Sequence, residues 1–303
     1  FCAPRPRSAI LVHPMENSTR MELLLHSYTF RDYTLDDALR AARRLGYTGL
    51  ELHPVHFNVS YPDEELARCL MHADRRGLDI LVVDFKADLI QADDGAAEEA
   101  ARLLERTIHV CERLDIRLMN GFTGFLTGPE PTAFSKNGSA IATDDHYNRC
   151  AERLRKLAKV AEQAGVTLSL EIHMNTIHDN IASTTRLLDL VQSPALVATP
   201  DPGNMFATST ADRPPAALKP LQGRIGLVHL KNCAYRAGEY DYSVALADGH
   251  VDTLRHLREL IAMGYTGPFC IEYVGQGDPH VPVRADVEYV KQSLGWLLDG
   301  NSD

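Results

Sequence analysis

The stretch TLSLEIH at residues 167–173 is an apolar run that ends in two polar residues set two apart, Glu171 and His173. Three later runs end in the same manner: LVATPD (196–201) in Asp201, IGLVHLK (225–231) in His229 and Lys231, and GPFCIEY (267–273) in Glu272. Each is short and rich in Val, Ile and Leu, as strands buried on both faces are. The rhythm extends outward from this core. Strands are predicted at 21–26, 49–53, 78–85 and 116–120, then at 167–173, 196–199, 225–231 and 267–273. Helical stretches alternate with them at 34–45, 62–76, 96–114, 145–164, 183–191, 215–221, 253–263 and 283–298. Gly46, Gly77, Gly165 and Gly264 follow helices, where the left-handed cap favours glycine. Eight β/α units predict a single (β/α)8 barrel over residues 21–303, the TIM-barrel architecture. An open doubly wound sheet fits less well, because no G-x-G-x-x-G follows the first strand. A Gly, Thr and Pro-rich loop at 121–143 and an irregular stretch at 232–250 interrupt the alternation.

Composition agrees with one large soluble domain. The 303 residues are 45% hydrophobic and 24% charged, enough to bury a core without a structural metal. A net charge of −10 argues against a duplex nucleic-acid partner, which a basic footprint normally serves. No run of about 18 apolar residues predicts a membrane-spanning helix. Cys2, Cys69, Cys111, Cys150, Cys233 and Cys270 form no C-x-x-C pair and read as reduced thiols of a cytoplasmic protein. Residues 1–20 are expected to be a disordered tail, translated from upstream of a start at Met15 or Met21.

Active sites of such barrels lie at the C-terminal ends of the strands. Glu171, Asp201, His229 and Glu272 come from four consecutive strands to that one end. A single Glu or His at a strand end reads as a rim residue. Three carboxylates together are costly unless a cation offsets them. The set is hard and mostly oxygen, suited to one Mn²⁺, Mg²⁺, Co²⁺ or Zn²⁺, with Mn²⁺ expected.

The segments LEIH (170–173), TPDPGN (199–204), VHLKN (228–232) and FCIEY (269–273), in this order and spacing, resemble the xylose-isomerase-like barrel superfamily, including its sugar phosphate isomerase/epimerase members. The resemblance covers residues 21–298. It implies that Glu171, Asp201, His229 and Glu272 bind the metal and that Glu171 and Glu272 act as paired acid and base on a ketose. It thus implies an isomerase or epimerase of carbohydrate metabolism that removes a proton beside a metal-polarised carbonyl. Lyases of the superfamily are the alternative, inosose dehydratases and the catalytic subunits of C-glycoside deglycosidases among them; the E-x-H of Glu171 and His173 resembles the latter. The partner implied is a small sugar or polyol, with a second copy or a small partner subunit left open.

Further candidates follow from strand periodicity. His173 shares a face with Glu171 and reads as a second base or substrate contact, or as a loop anchor. Lys231 shares a face with His229 and reads as a holder of developing negative charge or as an ion-pair partner. His26, Glu51, His53, Asn120, Asn204 and Arg236 are candidate substrate contacts. Arg236 reads equally as an ordinary loop residue. His178 is expected in a solvated loop or lid, and His56, His72, His109, His146 and His256 on the surface. An apurinic endonuclease is a competing reading, supported by Asp248-Gly249-His250 but opposed by Asn204 where those relatives carry His. A non-catalytic metal- or sugar-binding barrel is another. Gly275-Gln276-Gly277 reads equally as a source of backbone N–H groups for a phosphate and as a plain turn, and no phosphorylated substrate is claimed.

Overall fold

A computed structural model describes residues 21–299; the tail expected at 1–20 lies outside them. The chain alternates β1 (Leu23–His26), α1 (Leu35–Leu45), β2 (Gly49–Leu52), α2 (Pro62–Asp74), β3 (Asp79–Lys86), α3 (Asp94–Arg113), β4 (Leu118–Phe122), α4 (Asp144–Ala164), β5 (Thr167–Glu171), α5 (Ile181–Val191) and β6 (Leu196–Thr199). It continues with α6 (Pro202–Thr208), β7 (Val228–Leu230), a hairpin of β8 (Ala234–Arg236) and β9 (Glu239–Asp241), α7 (Thr253–Ala262), β10 (Phe269–Ile271) and α8 (His280–Asp299). The expected strands and helices are present, with ends moved by a few residues. The hairpin falls in the stretch expected to be irregular. α6 was not foreseen, because seven residues are too few to show a helical period.

Local chemistry sets the helix ends. Thr34 and Asp37 form a capping box at α1, Asp37 N–H donating to Thr34 Oγ1 at 3.2 Å and Thr34 N–H to Asp37 Oδ2 at 3.1 Å. Gly46 and Gly165 close α1 and α4 at φ of 75° and 63°, conformations a Cβ would strain.

Eight parallel strands run in the order β6-β5-β4-β3-β2-β1-β10-β7. The ring closes between β6 and the residues leading into β7, through the parallel bridge Ala198–Ile225. Three backbone bonds hold this seam: Ala198 N–H to Arg224 O at 2.9 Å, Gly226 N–H to Ala198 O at 3.0 Å and His229 N–H to Pro200 O at 3.0 Å. A Cβ on Gly226 would sit 2.6 Å from Val197 Cγ2, so the seam needs glycine there.

The period of two sorts each strand's residues. Leu25, Leu50, Leu52, Val83, Phe85, Met119, Leu170, Val228, Leu230 and Ile271 face the helices in one continuous core. Each fully buried Leu or Phe contributes roughly 1.5–3 kcal/mol. The alternate residues face the barrel axis. Leu24, Val82, Leu118, Leu227 and Cys270 pack together there as an apolar floor. Two residues further along those strands stand His26, Asp84, Asn120, His229 and Glu272, so the polar layer is one strand step above the floor.

Candidate metal centre

Candidate ligand atoms of Glu171, Asp201, His229 and Glu272 all lie within 4.8 Å of one another, in buried positions. Asp201 owes its place to local structure. It is the N-cap of α6, with Oδ1 accepting Asn204 N–H at 3.0 Å, and Pro202 follows as the first helical residue. That use of one oxygen leaves Oδ2 to the cluster. Asn204 Nδ2 donates to that Oδ2 at 2.9 Å and to Glu171 Oε1 at 3.0 Å, tying two candidate ligands together.

His229 is oriented from behind. Its Nε2 lies 2.9 Å from Glu51 Oε2, and Asn120 Nδ2 donates to Glu51 Oε1 at 2.7 Å. The ring's other nitrogen, Nδ1, makes no hydrogen bond although buried. It stands 3.5 Å from Glu171 Oε1 and 3.8 Å from Asp201 Oδ2. A histidine gripped by a carboxylate at one nitrogen and aimed at carboxylates with the other is the arrangement by which proteins present imidazole to a metal. The donor set, the orphaned Nδ1 and the burial fit a divalent cation.

Among the described residues, protein charges offset this cluster. Lys231 Nζ lies 2.9 Å from Asp201 Oδ2 and 2.7 Å from Glu272 Oε2. Burial opposes the Lys231 charge, but Asp201, Glu272 and Glu171 hold its pKa well above the ordinary value. Burial likewise opposes a charge on His229, and Glu51 and Glu171 overcome it and raise the pKa well above normal. Glu171 is pushed up by burial but pulled down further by His229, His173 and Lys231, to about 2. Burial outweighs Lys231 at Asp201, whose pKa is raised. Glu272 goes the other way, held below the carboxylate range by Lys231 and His26 against the penalty of burial. A cation entering through Nδ1 must displace the His229 proton, so its affinity rises with pH.

Above the cluster opens a cavity of about 160 Å³, lined on its polar side by His26, His53, Asp84, Glu171, His173 and Glu272. His26 Nε2 lies 3.0 Å from Asp84 Oδ2, and its Nδ1 is 3.5 Å from Glu272 Oε1. Burial disfavours the charged ring, but Asp84, Glu272 and Glu51 outweigh it and raise its pKa to about 9. His173 Nδ1 is 2.9 Å from Met174 O, so that nitrogen carries the proton and Nε2 is left as an acceptor. Its ring leans on Phe122 and Phe125, at centroid distances of 5.2 and 5.6 Å.

Several expectations are corrected. Glu51, Asn120 and Asn204 do not line the cavity; they are buried behind the candidate ligands and hold them. Arg236 sits exposed on β8, 3.9 Å from Asp241, and takes no part in the cavity. His178 is not solvated but fully buried, with neither ring nitrogen hydrogen-bonded. His256 is buried on α7, where desolvation takes its pKa down to about 4. His250 Nδ1 accepts Tyr235 N–H at 3.0 Å and joins neither potential metal group among the described residues. Cys69, Cys111, Cys150, Cys233 and Cys270 are buried and free. No helix among the described residues is long and apolar enough to cross a membrane.

Asp84, Lys86, Tyr28, Phe122 and Phe125 are cavity residues the sequence reading missed. The signal was present for two of them: DFK at 84–86 ends its strand as EIH does at 171–173.

Known proteins share this architecture. The chain is 28% identical over 180 residues to the 3-dehydroshikimate dehydratase of Bacillus anthracis, a match covering 58% of this chain and 60% of that enzyme, so the chain matches less than two thirds of this relative's length. It is 23% identical over 274 residues to the L-ribulose-5-phosphate 3-epimerase UlaE of Escherichia coli (strain SE11), covering 85% and 89% of the two chains. The crystal structure of a protein from Mycobacterium smegmatis in complex with magnesium superposes with a TM-score of 0.76 at 21% identity, over 94% of this chain and all of that one, a likeness that speaks for the fold alone. Residues 39–299 match the family described as xylose isomerase-like TIM barrel, and the protein belongs to that family.

Proposed function

We propose that this protein is a divalent-metal-dependent enzyme that removes a proton beside the carbonyl of a keto-sugar, as an epimerase or isomerase. The observation that carries the reading is the buried four-residue cluster at the cavity base, with His229 Nδ1 aimed into it and free of hydrogen bonds. A bound divalent cation would supply Lewis-acid polarisation of the carbonyl oxygen. Glu171 and Glu272, both lining the cavity, would take the proton from one face and return it on the other. Lys231, already between Asp201 and Glu272, would offset negative charge developing on the substrate oxygens. Glu51 and Asn204 would keep the ligands in register. The epimerase named above, aligned over most of both chains, supports this chemistry.

A dehydratase or other lyase is the second reading. It is favoured by His173, whose Nδ1 contact with Met174 O leaves Nε2 as a base in the cavity beside Glu171, and by the dehydratase relative. Both readings begin with proton abstraction and part at what leaves next.

The test pairs elemental analysis of the purified protein with solvent deuterium uptake into ketoses and 3-dehydroshikimate. About one divalent ion per chain, lost in a D201N/H229A double variant, together with metal-dependent uptake, is the expected result. No bound ion after reconstitution would sink the proposal, and nearly three zinc ions would revive the endonuclease.

A further inference from the structure

We propose that Lys86 is the subsite for an anionic oxygen group, a phosphate or a carboxylate, at the end of the substrate remote from the candidate metal centre. The inference rests on the reading of this cavity as the substrate site.

The placement follows from the strand. Val82, Asp84 and Lys86 alternate along β3 toward the barrel axis, about 3.3 Å apart per residue along the strand. Val82 is in the apolar floor, Asp84 is in the polar layer, and Lys86 is exposed at the cavity mouth. The other charged groups that line the cavity are engaged. His26 is 3.0 Å from Asp84, Glu272 is 2.7 Å from Lys231, and Glu171 accepts Asn204 Nδ2 at 3.0 Å. Among the described residues the Lys86 side chain has no carboxylate within ion-pair distance and makes no hydrogen bond; its neighbour is the Phe122 ring, with Nζ 5.7 Å from the centroid.

A long, mobile ammonium without a partner is ordinarily a solvated surface feature. This one stands over a cavity that also carries aromatic side chains in its lining. Phe122 meets Phe125 at 4.8 Å between centroids, and Tyr28 meets His53 at 4.7 Å. The base of the cavity carries Glu171 and Glu272, in a chain of net charge −10. An anionic substituent is repelled by that base and has one free cation to meet among the described lining residues. Lys86 therefore sets orientation as well as affinity: the carbonyl end goes down to the carboxylate cluster and the anionic end points up to the mouth. The expected effect of this contact is roughly tenfold in affinity, which converts to about 1.4 kcal/mol.

The experiment is calorimetric binding to the full-length, Mn²⁺-loaded protein, as wild type, K86M and K86R. The probes are L-ribulose 5-phosphate, 3-dehydroshikimate and uncharged L-ribulose. The wild type should bind at least one of the two anions about tenfold or more tighter than L-ribulose, and which anion wins separates phosphate from carboxylate. K86M should lose that preference with L-ribulose affinity unchanged, and K86R should keep most of it. A thermal melt checks that each variant is folded. The proposal is overturned if neither anion binds, if L-ribulose binds as well as both anions, if K86M matches wild type, or if K86M weakens all three probes equally. Deuterium uptake on the same samples keeps the two proposals apart. Lys86-dependent anion binding without uptake would remove the proton-abstraction reading and leave the subsite, whereas uptake with binding indifferent to K86M would do the reverse.

Discussion

Glu51-Leu52-His53 at the end of β2 and Glu171-Ile172-His173 at the end of β5 are the same pattern in sequence, with opposite roles in space. Glu51 is fully buried and spends its oxygens on His229 and Asn120. Glu171 lines the cavity and belongs to the candidate ligand set. The histidines differ as well. His53 Nδ1 accepts Val55 N–H at 3.0 Å, which leaves its proton on Nε2 and makes that nitrogen a donor. His173 has its proton on Nδ1, facing Met174 O, so its Nε2 accepts. One E-x-H therefore offers a support and a hydrogen-bond donor, the other a candidate ligand and a hydrogen-bond acceptor. What separates them is the partner across the barrel, His229, which each glutamate approaches from a different side.

This contrast can be broken or sharpened by substitution. The largest effect is expected at Glu171: E171Q should lower deuterium uptake by about three orders of magnitude or more while the far-UV circular dichroism is retained. A variant with full activity would leave the two glutamates indistinguishable. The histidines come next. H173A should cut kcat by about 100-fold, whereas H53A should act on KM alone; equal effects on kcat would erase the donor and acceptor distinction. E51Q should weaken metal affinity about 10–100-fold, with activity restored by excess metal, which E171Q should not show. An E51Q variant with unaltered metal titration would remove Glu51 as the support of His229. The smallest effect concerns pH. Burial, with the nearby His26 and Lys86, takes the His53 pKa down from 6.5 to about 3. The unfolded chain therefore binds the extra proton first, so stability is lost as pH falls from about 6.5 toward 3. H53Q should flatten that limb in urea melts at pH 7 and pH 5, with little change at pH 7.

Much of the barrel was legible because its strands and helices are long enough to show their periods and its helices end in glycine. The candidate ligands were legible because four strands deliver metal-competent residue types to one end. Depth was not. Nothing local distinguishes Glu51 from Glu171 or tells that Asn120 stands behind the cluster, since this depends on the stagger between neighbouring strands; Asn204 is set there by the first turn of α6, which the sequence did not reveal. Asp84 was passed over because His26, its partner 58 residues away, gives it meaning only in the fold. His178 and His256 were misplaced because a polar side chain in a loop or helix is normally solvated, and the packing that buries these two comes from elements remote in sequence. The hairpin of β8 and β9 was unread because two strands of three residues carry too little alternation to be seen.

The seam between β6 and β7 has one further implication. Asp201 and His229 stand on opposite sides of it, so an ion gripping both would act as a clasp on the loosest join of the ring. Occupancy would then be written into breathing motions: the amides of Gly226 and His229, which bridge the join to Ala198 and Pro200, should exchange with solvent more slowly in the loaded protein. By mass action, an ion at one hundred times its dissociation constant would add about 2.7 kcal/mol to the closed state. The melting temperature of this protein would thereby serve as a gauge of the free metal around it.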